Sequence, residues 1–132
     1  MRKKDDKTRT ISFFSQKNQQ VIIVSSAMAK KYALDMEKDD SVIKYEANIP
    51  LTDFAVVVDG KGLRRKLLET EWVSDFMVVK QDGTKIVEIV DEQKLENKRS
   101  CSERLELSRR YWKAAGAVDW QAVIVQKGET AW

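Results

Sequence analysis

Residues 75–90 constrain this fold most. Two β-rich runs, DFMVV (residues 75–79) and KIVEIV (residues 85–90), flank the tetrapeptide Gln81-Asp82-Gly83-Thr84. An Asp-Gly step between apolar runs favours a tight antiparallel hairpin, because its turn needs backbone angles that glycine adopts freely. Residues 92–99 are highly charged and read as a loop. Residues 101–115 then read as an amphipathic helix. Cys101, Leu105, Leu107, Tyr111, Trp112 and Ala115 share an arc of about 160° at 100° per residue. Arg99, Glu103, Glu106, Arg109, Arg110 and Lys113 fill the opposite arc, and only Arg104 intrudes on the apolar side. Gly116 stops the helix, and residues 120–125 (WQAVIV) read as a strand. A helical crossover suits parallel pairing of this strand with the second hairpin strand.

The N-terminal half adds further elements. Residues 1–9 carry five cationic and two acidic side chains and read as a basic arm, either a solvated tail or a phosphate contact. Residues 10–14 (TISFF) and 20–24 (QVIIV) form a hairpin or an irregular strand pair. Ser25 or Ser26 can cap a helix from about Ala27 to Lys38, with Met28, Ala29, Tyr32 and Met36 on one side. Residues 42–45 are β-rich, residues 51–58 are mixed apolar, and residues 59–62 form a turn. No repeat or linker interrupts the chain, so residues 10–132 are expected to form one domain. The expected fold class is α/β, a mixed β-sheet flanked by helices.

Composition narrows the chemistry. The 132 residues include no histidine and one cysteine, Cys101. Imidazole bases, His-ligated metals and thiolate metal clusters are therefore excluded, as is an intrachain disulfide. Carboxylates and lysines remain, with a hard cation as the available metal. A net charge of +3 is compatible with a nucleic-acid partner without requiring one. No apolar run reaches the roughly 18 residues needed to span a bilayer, and no apolar stretch follows the basic start. The expected address is the cytosol.

Asp75 and Glu88 lie 13 residues apart around the hairpin turn, on neighbouring strands. Two convergent carboxylates at a sheet end are the minimum for holding Mg²⁺ through oxygen. The same pair also reads as two solvated carboxylates beside a turn. Arg64, Arg65 and Lys66, with Arg109, Arg110 and Lys113 of the last helix, read either as a phosphate track or as a salt-bridged face. Tyr111, Trp112 and Trp120 read as core anchors, and Cys101 as packing.

Three stretches carry a family resemblance. Val24-Ser25-Ser26-Ala27-Met28-Ala29-Lys30-Lys31-Tyr32 and the following Asp39-Asp40-Ser41-Val42 sit where the family pattern has E-S-x-L-E-R-x-Y/F and D-P-x-V. Val73-Ser74-Asp75-Phe76-Met77-Val78 matches a T/P-D-F-L-V strand. Residues 104–112 (RLELSRRYW), with Gly116, Trp120 and residues 123–125, match K-L-E-x-x-R-R-Y-W…G-x-x-W-x-I-V. Together they cover roughly residues 20–126, and the whole resembles the N-terminal catalytic domain of TnsA-like transposon endonucleases, in the PD-(D/E)xK class.

The resemblance implies a restriction-endonuclease-like core acting on double-stranded DNA with Mg²⁺. A helix glutamate, a strand aspartate and an E/Q-x-K triplet would build the site. Asp75 and Glu88 keep two of those positions, while Ala29 replaces the glutamate and Val90 the lysine. Losing such electrostatic stabilisers costs factors of hundreds in rate. Lys94, then Lys30, are the candidates for a relocated lysine, whereas Glu37 reaches the site poorly. Nothing here corresponds to the C-terminal helical domain of full-length members, so partner contacts are expected to use the core or its tails. The expectation is a catalytically impaired, DNA-associated accessory of a mobile element or phage, with a transposase or other protein, or a second copy, as partner. The alternatives are an active Mg²⁺ endonuclease using Asp75, Glu88 and Lys94, and a protein-interaction module without DNA binding.

Overall fold

The computed structural model describes residues 1–3, 10–52, 58–116 and 119–126. Its strands are β1 (Arg2–Lys3), β2 (Ile11–Ser15), β3 (Gln20–Val24), β4 (Val42–Pro50), β5 (Trp72–Lys80), β6 (Gly83–Asp91) and β7 (Asp119–Val125). Its helices are α1 (Ala27–Lys38), α2 (Arg65–Glu69), α3 (Glu92–Asn97) and α4 (Arg99–Ala114). The fold is mixed α/β. A five-stranded sheet runs β4-β5-β6-β7, with β1 paired to the start of β5, and β2 and β3 form a separate hairpin. All pairings are antiparallel except β6 with β7, where the α3–α4 crossover returns the chain in parallel.

Local chemistry explains most of these elements. Ser26 accepts a hydrogen bond from the Ala29 amide at 3.1 Å and so caps α1. Lys80 pairs with Gly83 across the two-residue connection Gln81-Asp82, and Gly83 takes φ +146°, which L side chains rarely adopt. Gly116 takes φ +84° just past α4, the left-handed conformation that glycine permits at a helix end.

Two apolar layers sandwich the sheet. On one face, α1 and the β2–β3 hairpin bury Ala29, Ala33, Met36, Ile22 and Val24 against Tyr45, Phe76, Val78 and Val87. On the other, Leu107, Tyr111 and Trp112 of α4 and Leu67 of α2 pack against Trp72 and Ile86. The side-chain alternation of β5 slips at Asp75. Trp72, Ser74 and Met77 meet the α4 side, while Phe76 and Val78 lie in the α1 layer.

Several expectations change. Residues 92–99, read as a loop, contain α3 and the start of α4, because the Asp91 side chain caps α3 by accepting from the Gln93 amide at 2.9 Å. Helix α4 buries Leu107, Tyr111 and Trp112 as expected, but its buried face is rotated: Cys101 and Leu105 are only half-buried and Ala115 is exposed. Glu103, assigned to the solvent arc, is buried between Arg64 and Arg99, and Ser108 is buried against Glu88. Strand β4 runs nine residues to Pro50, well past the expected end at residue 45. Of the basic arm, Met1–Lys3 are docked on the sheet through β1, and residues 4–9 lie outside the described residues. The mixed apolar segment 51–58 is described only at Leu51, Thr52 and Val58.

Candidate functional site

The hairpin register places Asp75 beside Glu88. Backbone pairing between β5 and β6 is regular from Lys80↔Gly83 to Phe76↔Val87, and beyond it the side chains take over. The Asp75 amide donates to Glu88 Oε1 at 3.0 Å, and the Ile89 amide donates to Asp75 Oδ2 at 2.7 Å. Each carboxylate thus accepts a backbone N–H at the point where the ladder ends, so the two strands fork around the pair.

Glu88 is fully buried and Asp75 is 8% exposed. A buried carboxylate is stable only when its oxygens are satisfied. Glu88 Oε2 accepts from the hydroxyls of Ser74, at 2.8 Å, and Ser108. The indoles of Trp112 and Trp120 donate in turn to Ser74 Oγ at 2.8 Å and to Ser108 Oγ at 3.0 Å. A continuous chain therefore runs Trp112–Ser74–Glu88–Ser108–Trp120 through the layer between α4 and the sheet.

The remaining partner is the α-ammonium of Met1. It lies 2.9 Å from Glu88 Oε1 and 3.4 Å from Asp75 Oδ2, carried there by the pairing of Arg2 with Val73 and Lys3 with Trp72. Burial pushes the Glu88 carboxyl above its ordinary range, opposed by the charge of Met1. Burial alone would lower the α-amino pKa, but the two carboxylates outweigh it and hold the group above its ordinary 8.0. A folded-state pKa raised in this way contributes stability that is full below the unfolded value and is lost as pH rises through the folded one. The urea midpoint is therefore expected to fall above about pH 8, and a titration of midpoint between about pH 7 and pH 10 checks this.

The donor set does not suit Mg²⁺. Both oxygens of Glu88 and Oδ2 of Asp75 already accept from protein donors. Ala29 is 2% exposed within the α1 layer, and Val90 offers no donor. Glu37, the alternative on α1 weighed above, is engaged elsewhere: it accepts from Ser15 Oγ at 2.6 Å, from the Lys17 amide at 3.1 Å and from the Tyr45 hydroxyl. Among the described residues, no group of three or more Cys, Asp or Glu side chains is arranged to hold a metal.

Beside the fork opens a cleft of about 780 Å³. Met1, Arg2, Lys30, Lys94, Lys98 and Arg104 are among the residues that line it. Lys94, on α3, and Lys30, on α1, thus border one hollow, together with Val90, the position where the family pattern has lysine. Among the described residues, the lining includes no acidic side chain. Arg104 lies over the Trp72 ring, 4.7 Å from its centroid, an arrangement that stabilises the guanidinium through the ring's negative face. The Nε atoms of Arg2 and Arg104 are shielded from solvent without a hydrogen-bond partner among the described residues.

The other basic residues divide. Arg64 and Lys66 border a smaller hollow of about 220 Å³ that shares Ser100 and Arg104 with the cleft. Arg64 also pairs with Glu103 at 2.9 Å. Arg65 pairs with Glu69 at 2.8 Å. Arg109 and Arg110 both bind Glu106, at 2.6 and 2.9 Å, and with Lys113 they border a separate hollow that contains Asp59 and Glu106. Hydrogen bonds from Arg109, and then from Arg110, hold the Glu106 carboxyl down to about 2. Arg110 also donates to the carbonyls of Asp59 and Lys61, which ties the turn to α4. These arginines form a salt-bridged face.

Sequence reasoning passed over Met1, Arg2, Ser74, Lys98 and Ser108. Two carried a signal: Ser108 lies one heptad from Cys101 on the apolar arc, and Lys98 follows Lys94 by four residues. No family model and no curated protein matches the chain.

Proposed function

We propose that this is a TnsA-like nuclease-fold protein that binds duplex DNA in the cytoplasm without cutting it, as an accessory of a mobile element or phage. One observation carries the reading. Arg2, Lys30, Lys94, Lys98 and Arg104 line a single cleft, whose walls include no carboxylate among the described residues. Cations gathered along one hollow suit a polyanion, whose phosphate oxygens accept from ammonium and guanidinium N–H groups. Impaired cleavage follows from the fork, where the lysine position is Val90 and the carboxylates are held by protein donors.

Fluorescence anisotropy with a short duplex over a salt series tests the binding. If the five cations each displace a counterion, log K should fall against log salt with a slope of roughly −4 to −5. Plasmid incubated with the protein and Mg²⁺ or Mn²⁺ should stay supercoiled. Nicking that disappears in Asp75→Asn would replace this reading with an endonuclease that uses Lys94 or Lys30. Absence of salt-dependent binding would leave a protein-interaction module.

A further inference from the structure

On the footing of the DNA-binding reading, we infer that the cleft receives an unpaired nucleotide at the end of a strand, its phosphate against the cations and its base against an apolar wall. The helical pattern of α4 puts Cys101 and Leu105 on the apolar arc, yet neither belongs to the two core layers. Both stay half-buried and border the cleft instead, together with Ile11, Ala27 and Val90. The backbone of a continuous duplex presents sugars and phosphates, and has little to set against such a wall. An unpaired nucleotide presents the flat face of its base as well.

The hollow is shaped for a ligand of two characters. On α4 the polar pair Ser100 and Arg104 runs beside the apolar pair Cys101 and Leu105, each pair four residues and so about one turn apart. A single group with an anionic and an apolar part spans both rows. The starts of α1 and α4 also border the cleft, through Ser26 and Ala27 and through Ser100 and Cys101. Neither helix has an acidic residue in its first turn, so both helix starts reinforce the preference for an anion set by Lys94, Lys98 and Arg104. A volume of about 780 Å³ lies within the range of clefts that enclose small ligands, roughly 300–1,000 Å³, whereas a duplex is a convex rod that rests on a surface.

Anisotropy titrations with one duplex, blunt or extended by two unpaired nucleotides, test the assignment. The extended duplex should bind roughly tenfold tighter or more, and in Leu105→Asn the ratio of the two affinities should fall toward one. A second measurement needs no variant, because Cys101 is the chain's single cysteine. A base bearing a disulfide-activated thiol should capture Cys101, whose sulfur displaces the leaving thiol, at least several-fold faster from the unpaired end than from a paired position in mid-duplex. Equal affinities for blunt and extended duplex would overturn the inference while leaving the duplex reading intact. So would equal capture from both positions, or a preference for the extended duplex that persists in folded Leu105→Asn. Binding of neither DNA would remove the duplex reading and this inference together.

Discussion

Glu88→Ala is expected to destabilise the fold by about 3–5 kcal/mol, read as a drop in the urea midpoint followed by tryptophan emission. The carboxylate accepts from the Asp75 amide, the Ser74 and Ser108 hydroxyls and the Met1 ammonium, all at a position with no solvent exposure. Alanine would remove the acceptor these donors share, leave the Met1 ammonium only its longer contact to Asp75, and open a small cavity besides. Since domains of this size are stable by only about 5–15 kcal/mol, the variant should lie near the edge of folding. Glu88→Gln keeps the shape and one acceptor oxygen and should cost less, in the range of about 1–3 kcal/mol. A residue kept only to hold a catalytic metal would give the opposite pattern, with stability unchanged or improved on removal of its charge.

Lys94→Glu/Lys98→Glu should weaken binding to a short duplex by roughly a hundredfold or more at low salt, because two attractions to phosphate become two repulsions. The salt dependence should become shallower by about 2 in slope, as two counterion-releasing contacts are lost. Stability should change little, since both side chains are exposed. Arg109→Glu is a useful contrast: its guanidinium is already paired with Glu106, so its removal should alter the affinity far less. Anisotropy titrations of both proteins under one buffer series check the pair, and comparable losses in the two would disperse the DNA contact away from the cleft.

Elements fixed by local chemistry were legible in the sequence. The serine cap and bounds of α1, read as Ser25 or Ser26 and found at Ser26, and the β5–β6 turn follow from residues within a few positions of one another, while the parallel return of β7 follows from the helical crossover before it. The juxtaposition of Asp75 and Glu88 follows likewise, because a hairpin turn sets the register of everything beyond it. Helix α3 was hidden because its six residues carry no apolar stripe, and only the capping Asp91 marks it. The buried face of α4 was legible at Leu107, Tyr111 and Trp112 and misjudged at Glu103 and Ser108 for a different reason. Glu103 and Ser108 are polar, and what makes their burial tolerable comes from Arg64 and Glu88, far away in the chain. The contact between Met1 and Asp75 was least legible of all, since it spans 74 residues and involves the backbone nitrogen rather than a side chain of Met1.

The hydrogen-bonded chain from Trp112 through Glu88 to Trp120 also makes the molecule its own optical gauge. Two indole N–H groups are fixed on serines that both contact one carboxylate, so their emission depends on the polarity and order of that inner layer. Trp72 donates instead to the Leu67 carbonyl at 2.8 Å, in the wall of the smaller hollow and beneath Arg104, which borders the cleft as well, so a polyanion bound at Arg104 would change the surroundings of a third chromophore. The state of the buried carboxylate and the filling of the cleft are thereby written into different fluorophores of the unlabelled protein.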